Sequence, residues 1–144
     1  MYDFGQYRDT VYSIIGASME VHKHLGHGLL EAVYAEALKI ELNSIGIYCE
    51  LEKEVLCYYK DHLLEKKYRI DLAVGDICVE LKSVSELDSA HRAQLFNYLR
   101  LTQMPIGLLI NFGSRKLEGE RYAYVEEENE CFLINKNMDI LDEY

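Results

Sequence analysis

Apolar positions recur at helical spacing from Tyr7 to Leu25, where Val11, Ile14, Ile15, Ser18, Met19, Val21, His22 and Leu25 share the pattern. Gly26-His27-Gly28 ends that segment. A second amphipathic helix is predicted from Glu31 to Ile45 and closed by Gly46. The period then shortens. Tyr48 to Tyr59 suits a strand, Lys60-Asp61-His62 a turn, and Tyr68 to Lys82 a hairpin. Ser85 with Asp88, or Asp88 alone, offers a cap for a helix from Ser89 to Thr102, which Pro105 keeps from continuing. Ile106 to Phe112 is a short apolar run of the kind found in a buried strand, and weaker strands are predicted at Arg121–Val125 and Cys131–Ile134 around an acidic Glu126–Glu130 loop. The order is helix, helix, three strands, helix, strand and a variable end. It implies an α/β fold with a single mixed β-sheet flanked by helices.

The hairpin carries the most information. Gly75-Asp76 suits a two-residue turn with positive φ. Pairing Val74 with Ile77 sets Ala73 opposite Cys78, Leu72 opposite Val79, Asp71 opposite Glu80 and Arg69 opposite Lys82. Because side chains alternate between faces, Ile70, Leu72, Val74, Ile77, Val79 and Leu81 form an apolar face. Arg69, Asp71, Ala73, Cys78, Glu80 and Lys82 form the other. Two carboxylates directly opposite each other, with Cβ atoms about 5 Å apart, destabilise a sheet when both are charged. At an effective dielectric of ~20 the repulsion is roughly 3 kcal/mol. A divalent cation between them would reverse the sign of that energy. A solvated hairpin face, with diagonal relief from Lys82 and Arg69, accounts for the same pattern without any ligand.

Length and composition fit one domain with one core: 144 residues, 49% hydrophobic and 28% charged, within ordinary globular usage. With no long apolar run and no basic-apolar leader in MYDFGQYRDT, the expectation is a soluble cytoplasmic protein without a membrane partner. Cys49, Cys57, Cys78 and Cys131 are scattered without a CxxC and are read as buried thiols. The formal charge of -10 argues against general adhesion to nucleic acid. Residues Arg115 to Tyr144 hold nine Asp/Glu against four Lys/Arg, so half of the excess lies in the variable end.

Asp71 and the Glu80-x-Lys82 pair together suit phosphodiester hydrolysis, in which carboxylates hold Mg²⁺ or Mn²⁺ and a lysine orients water or stabilises charge on phosphorus. Glu31, in the first turn of its helix, either adds a carboxylate or merely complements the helix dipole. His91, Gln94 and Tyr98 form a polar stripe on the helix after Lys82 that either turns toward the site or faces solvent. His22, His24 and His27 crowd one helix end, but residues 22 and 24 point apart, so surface histidines explain them better than metal ligation. No phosphate-binding glycine loop, GxSxG or Cys/His nucleophile pairing is present.

With these residues in place, the chain resembles the GxxExxY family of the PD-(D/E)XK nuclease superfamily. Gly28-Leu29-Leu30-Glu31-Ala32-Val33-Tyr34 matches the naming motif. IIGASMEVHKHLGHGLLEAVYAEAL, YRIDLAV, VELKSVSEL, HRAQLFNYLRLT and GLLINFG follow in the family's order over about residues 10–113 of the 1–144 domain. His27 stands where the family pattern has proline, and the acidic end 115–144 matches no motif. The resemblance implies a restriction-endonuclease-like α-β-β-β-α-β core. It also implies Glu31 as a helix-borne acid, Asp71 and Glu80 as metal ligands, Lys82 as the catalytic lysine and Gln94 as an accessory polar group.

The expected function is metal-dependent hydrolysis of nucleic-acid phosphodiesters, DNA foremost, with Mg²⁺ or Mn²⁺ held by Asp71, Glu80 and Glu31. A catalytically silent module binding nucleic acid or protein on the same fold, and a metal phosphoesterase acting on small nucleotides, are the alternatives. Exo- against endonucleolytic cutting and oligomeric state are not encoded in these motifs.

Overall fold

A computed structural model describes residues 2–141. A short 3-10 turn, Gly5–Tyr7, leads into helix α1 (Arg8–Leu25), which is followed by α2 (Glu31–Ser44). Strands β1 (Glu50–Tyr59), β2 (His62–Val74) and β3 (Ile77–Lys82) come next, then α3 (Ser89–Thr102) and β4 (Ile106–Asn111), and finally β5 (Glu118–Val125) and β6 (Glu130–Ile134). The six strands form one sheet in chain order. Only β3 and β4 run parallel, Ile77 beside Ile106 through Lys82 beside Asn111, because α3 carries the chain back across the sheet between them. The expected α/β architecture is therefore present.

Helices cover both faces, and this corrects the expectation of a single core. Val11, Ile14, Tyr34 and Leu38 of α1 and α2 pack with Leu72, Val79, Leu81 and Ile110 on one face. Leu95 and Leu99 of α3 pack with Cys78, Leu109 and Tyr122 on the other. Burial of a leucine such as Leu95 or Leu99 stabilises by about 1.5–3 kcal/mol. Gly107 lets α3 lie close on β4, since a Cβ there would meet Leu99 Cδ1 at 2.8 Å. The hairpin face with Ala73 and Cys78 is thus covered rather than solvated, its two small side chains leaving room for the helix.

The inner register is as expected: Val74 with Ile77, Ala73 with Cys78 and Leu72 with Val79. Ile70 is not where strict alternation puts it. It joins the α3-side core, whereas Leu72 stays on the α1–α2 side. The break coincides with an irregularity on the neighbouring strand. Leu51 pairs with Leu72 and Lys53 with Ile70, and Glu52 between them has φ 49, a left-handed backbone that breaks the pleat.

Asp88 caps α3 by accepting the His91 amide (3.0 Å) while its own amide donates to His91 Nδ1 (3.1 Å), so histidine takes the part glutamate plays in a capping box. Gln103 ends the helix in the left-handed conformation at φ 61, two residues before Pro105. β5 starts at Glu118, earlier than the apolar pattern indicates, because its first residues pair with β4 through the backbone, Asn111 with Glu118. Cys49, Cys57 and Cys78 are buried free thiols, and Cys131 is half-buried. No helix among the described residues is long and apolar enough to cross a membrane. The last three residues of the acidic end, 142–144, lie outside the described residues.

The exits of β3 and β4 are locked together. Phe112 N donates to Lys82 O (2.8 Å). The side chain of the fully buried Asn111 accepts from Val84 N (3.0 Å) and Gly113 N (2.9 Å), and donates to Val84 O (2.9 Å) and Glu118 Oε1 (2.8 Å). A Cβ on Gly113 would meet Val84 N at 2.1 Å, so the close approach of two backbones requires glycine there. Gly113→Ala should therefore lower unfolding free energy by about 1–3 kcal/mol. Gly16, exposed within α1 with open space for 4 Å around the place a Cβ would take, is the control. Gly16→Ala should raise stability by about 0.5–1 kcal/mol, and urea titrations of both variants measure the opposite signs.

Candidate active site

The ladder between β2 and β3 stops at Leu72–Val79, one residue short of the expected Asp71–Glu80 pair. Beyond it the carboxylates replace backbone carbonyls as acceptors. Asp71 N donates to Glu80 Oε2 at 2.7 Å, and Leu81 N donates to Asp71 Oδ2 at 2.8 Å. Each acid thus satisfies an amide of the facing strand, and the two lie together where the strands part. The further expected pair, Arg69 with Lys82, does not form, and Arg69 pairs with Glu54 of β1 instead. No ion pair among the described residues relieves either acid diagonally.

Burial dominates the electrostatics. Glu80 is 3% exposed, and desolvation, followed by the Asp71 charge, pushes its pKa up to about 8. Asp71 is also raised, first by desolvation, against the lowering effect of the Leu81 amide. Glu31 raises both and Lys82 lowers both. Tyr98, buried on α3, is pushed up to about 12 by desolvation and then by the same two acids. Lys82 Nζ donates to Gln94 Oε1 at 2.8 Å, tying the exit of β3 to the exposed side of α3. Of the polar stripe expected on α3, Gln94 and Tyr98 reach this neighbourhood, whereas His91 Nδ1 is committed to the helix cap.

Glu31 stands at the start of α2 and lines, with Ala35, Glu36, Leu51, Glu52 and Asp71, a cavity of about 320 Å³. Tyr34 sets the entry to that helix: its hydroxyl donates to Gly26 O (2.7 Å) and accepts from Leu29 N (3.0 Å), while its ring stacks on Phe112 at 4.4 Å. Gly28, at φ 86, donates its amide to Phe112 O. Ser83 Oγ donates to Leu29 O (2.5 Å), so the loop before Glu31 is fastened to the residue after Lys82. Glu36, Glu52, Ser83 and Asn111 escape a reading of the sequence. Glu36 lies five residues from Glu31, off its helical face, and gives no periodic signal, and the others depend on tertiary contacts.

The histidines do not gather here. His22, expected at the surface, is half-buried with Nε2 3.0 Å from Ser114 O, because α1 packs against the loop after β4; His24 and His27 are exposed.

The described residues contain no group of three or more His, Cys, Asp or Glu side chains arranged as a metal site. Glu31 therefore stands near the other two acids without completing a three-carboxylate cluster. Asp71 and Glu80 alone fit a hard divalent cation: each spends one oxygen on an amide, leaving Asp71 Oδ1 and Glu80 Oε1 for a ligand. Mg²⁺ is commonly held by one or two carboxylates, with waters and substrate phosphate completing its shell.

Since the folded-state pKa of Glu80 is raised from 4.5 to about 8, the native state binds the extra proton between those values. Its stabilising contribution is complete below about pH 4.5 and is lost as pH rises through about 8. Glu80→Gln keeps an acceptor for Asp71 N and removes the charge. In EDTA the variant should be more stable than wild type at pH 8 by roughly 2–4 kcal/mol, and the difference should shrink toward pH 5. Chemical denaturation across that range measures it.

No curated protein matches the chain. Among solved structures, one described as "Crystal structure of SSO0001" is 16% identical, with 78% of this chain and 76% of that chain covered and a TM-score of 0.45. The family model that matches spans residues 8–122, which includes α1, α2, the β2–β3 site, α3 and most of β5. The chain belongs to the PD-(D/E)XK nuclease superfamily.

Proposed function

We propose that this protein is a metal-dependent nuclease that hydrolyses phosphodiester bonds in DNA, as expected of the GxxExxY family it resembles. Proteins of the superfamily are typically nucleases and usually use divalent metals such as Mg²⁺ or Mn²⁺. The observation that carries the proposal is the Asp71–Glu80 pair, buried at Glu80 and half-buried at Asp71, in which each acid commits one oxygen to an amide and keeps the other for a cation, beside a lysine held by Gln94.

In this mechanism Asp71 and Glu80 would hold the metal, and Glu31, which lines the same cavity as Asp71, would add negative charge near it. When bound, the divalent cation supplies Lewis-acid charge at a phosphoryl oxygen. The backbone amides of Asp71 and Leu81 fix the two carboxylates, so neither must reorganise on substrate binding. Lys82 has two N–H donors left after its bond to Gln94. They orient the attacking water or stabilise the charge that develops on the phosphate. Gln94 positions the ammonium without touching the reacting atoms.

Labelled DNA and RNA, each single-stranded, duplex and branched, incubated with Mg²⁺, Mn²⁺ or EDTA, test the proposal. Cleavage of DNA with either metal and none in EDTA is expected. Lys82→Ala should lower kcat by about 10²–10³-fold. Gln94→Ala should cost about 10-fold, and His24→Ala should leave the rate at the wild-type value. Binding without cleavage under every condition would instead support a silent nucleic-acid module.

Metal also has a readout that does not need turnover. At constant ionic strength, Mg²⁺ or Mn²⁺ at 100 times its Kd should stabilise the fold by about 2.7 kcal/mol. Most of the corresponding rise in Tm should vanish in Asp71→Asn. Equal metal responses in the two proteins would remove Asp71 from the ligand set.

A further inference from the structure

Strand alternation sorts the charges of β5 to opposite faces of the sheet. Glu118 and Glu120 lie on the α3 side, where Glu118 bonds to Asn111 Nδ2 and Glu120 takes both guanidinium bonds of Arg92 at 2.8 Å. Gly119 and Arg121 lie on the α1 side. With no side chain at Gly119, a cavity of about 330 Å³ opens between α1 and β5, lined by Ile15, Met19, Lys23, Arg115, Lys116 and Arg121 among others. Four cations therefore surround one cavity in a chain of net charge -10. None of the four forms an ion pair among the described residues. Arg121 Nε is buried without a hydrogen-bond partner, and it is the one such buried side-chain atom among the described residues.

A buried donor left unbonded costs about 1–3 kcal/mol, and like charges around one cavity add to that cost. Both penalties are relieved by an anion with several oxygens. A phosphate fits the chemistry, since arginine recognises it through paired N–H donors and lysine as a point charge.

The location narrows the source of the phosphate. Arg115 and Lys116 lie on the loop after β4, which Asn111 and Phe112 bolt to the segment after Lys82. β5 is two strand spacings, about 10 Å, from β3 in the plane of the sheet, and the pocket lies on the α1 face while Lys82 bonds to α3, so the path between them runs around the end of the sheet. A nucleic-acid strand rises 3.4 Å per phosphate. A backbone passing the candidate active site and the end of the sheet would bring another phosphate, several nucleotides away, to the pocket.

We propose that Lys23, Arg115, Lys116 and Arg121 form a backbone-phosphate subsite that holds the nucleic acid at a point remote from the bond to be cut. The proposal rests on the nuclease reading above. It also gives a strongly acidic protein a place to hold a polyanion, because four of its cations gather around one cavity.

The test compares wild type with Arg121→Gln and with Arg115→Ser/Lys116→Ser. Binding of labelled DNA in EDTA is measured at several salt concentrations, alongside turnover of bis(p-nitrophenyl) phosphate, a diester too small to span both places. The double variant should flatten the slope of log Kobs against log salt by about 1.4 for single strands or 1.8 for duplex, and Arg121→Gln by about half as much. Hydrolysis of the small diester should be unchanged, which also shows that the variants are folded. Equal slopes and affinities in all three proteins would overturn the subsite, as would a small diester whose turnover falls in parallel with DNA binding. Occupation of the pocket by millimolar inorganic phosphate, seen at the Gly119 amide by NMR, with no shift of that amide on adding DNA, would assign it to free phosphate and overturn the backbone role. Loss of DNA binding in the variants of a wild type that never cleaves would refute the nuclease reading and uphold the subsite. Cleavage with unaltered binding in the variants would do the reverse.

Discussion

A buried carboxylate, Glu80, and a half-buried one, Asp71, meet where β2 and β3 separate, and much of the architecture answers that one constraint. Asp71 and Glu80 cannot both be charged there without compensation, since desolvation and mutual repulsion act in the same direction. The fold supplies two backbone amides and the nearby Lys82 charge, which lower the cost without removing it. The hydrogen-bond ladder has to open for those amides to be free. An ordinary continuation of the hairpin would have paired them with carbonyls and left the acids facing each other unsolvated. The residual strain is electrostatic, and a ligand of opposite charge discharges it.

That opening is possible because neither strand depends on the other for its place. β3 is paired along its whole length with β4, and β2 with β1, so the site is a gap between two well-anchored ladders. Helices on both faces keep the gap dry at Glu80 and leave Asp71 half-buried toward the cavity below α2. The arrangement separates two demands. Packing at Leu72, Val79, Leu95 and Leu109 holds the sheet, and the polar groups at the ladder's end are free to respond to ligand.

Much of this was legible in the amino-acid order. The Gly75-Asp76 turn fixed three inner hairpin pairs, and Asp88 with Pro105 bounded α3. Those signals are local: a turn residue, a cap and a helix breaker act on their immediate neighbours. Asp71, Glu80, Lys82, Gln94 and Glu31 do converge on one region, because strand alternation and the short β3–α3 connection leave few other places for them. What failed to show were the departures from regular pairing. Glu52 takes a left-handed conformation that no residue-type rule requires of glutamate, and with it Ile70 changes sides. The roles of Asn111 and Tyr34 were equally hidden. A buried asparagine and an ordinary core tyrosine look alike in sequence whether or not their polar atoms organise loops distant along the chain.

The contact of Gly113 with Val84 bears on how this scaffold tolerates changes in length. At the exits of β3 and β4 two backbones touch, and one buried side chain bonds to both, so an inserted residue on either side would have to break several hydrogen bonds at once. The tip of the β1–β2 hairpin, Tyr59 to His62, is exposed on every residue. Added chain there would extend into solvent and leave the sheet undisturbed. Grafted loops, tags or whole modules therefore belong at the hairpin tip, whereas the rim bearing Lys82 has a fixed geometry that admits substitution but not elongation.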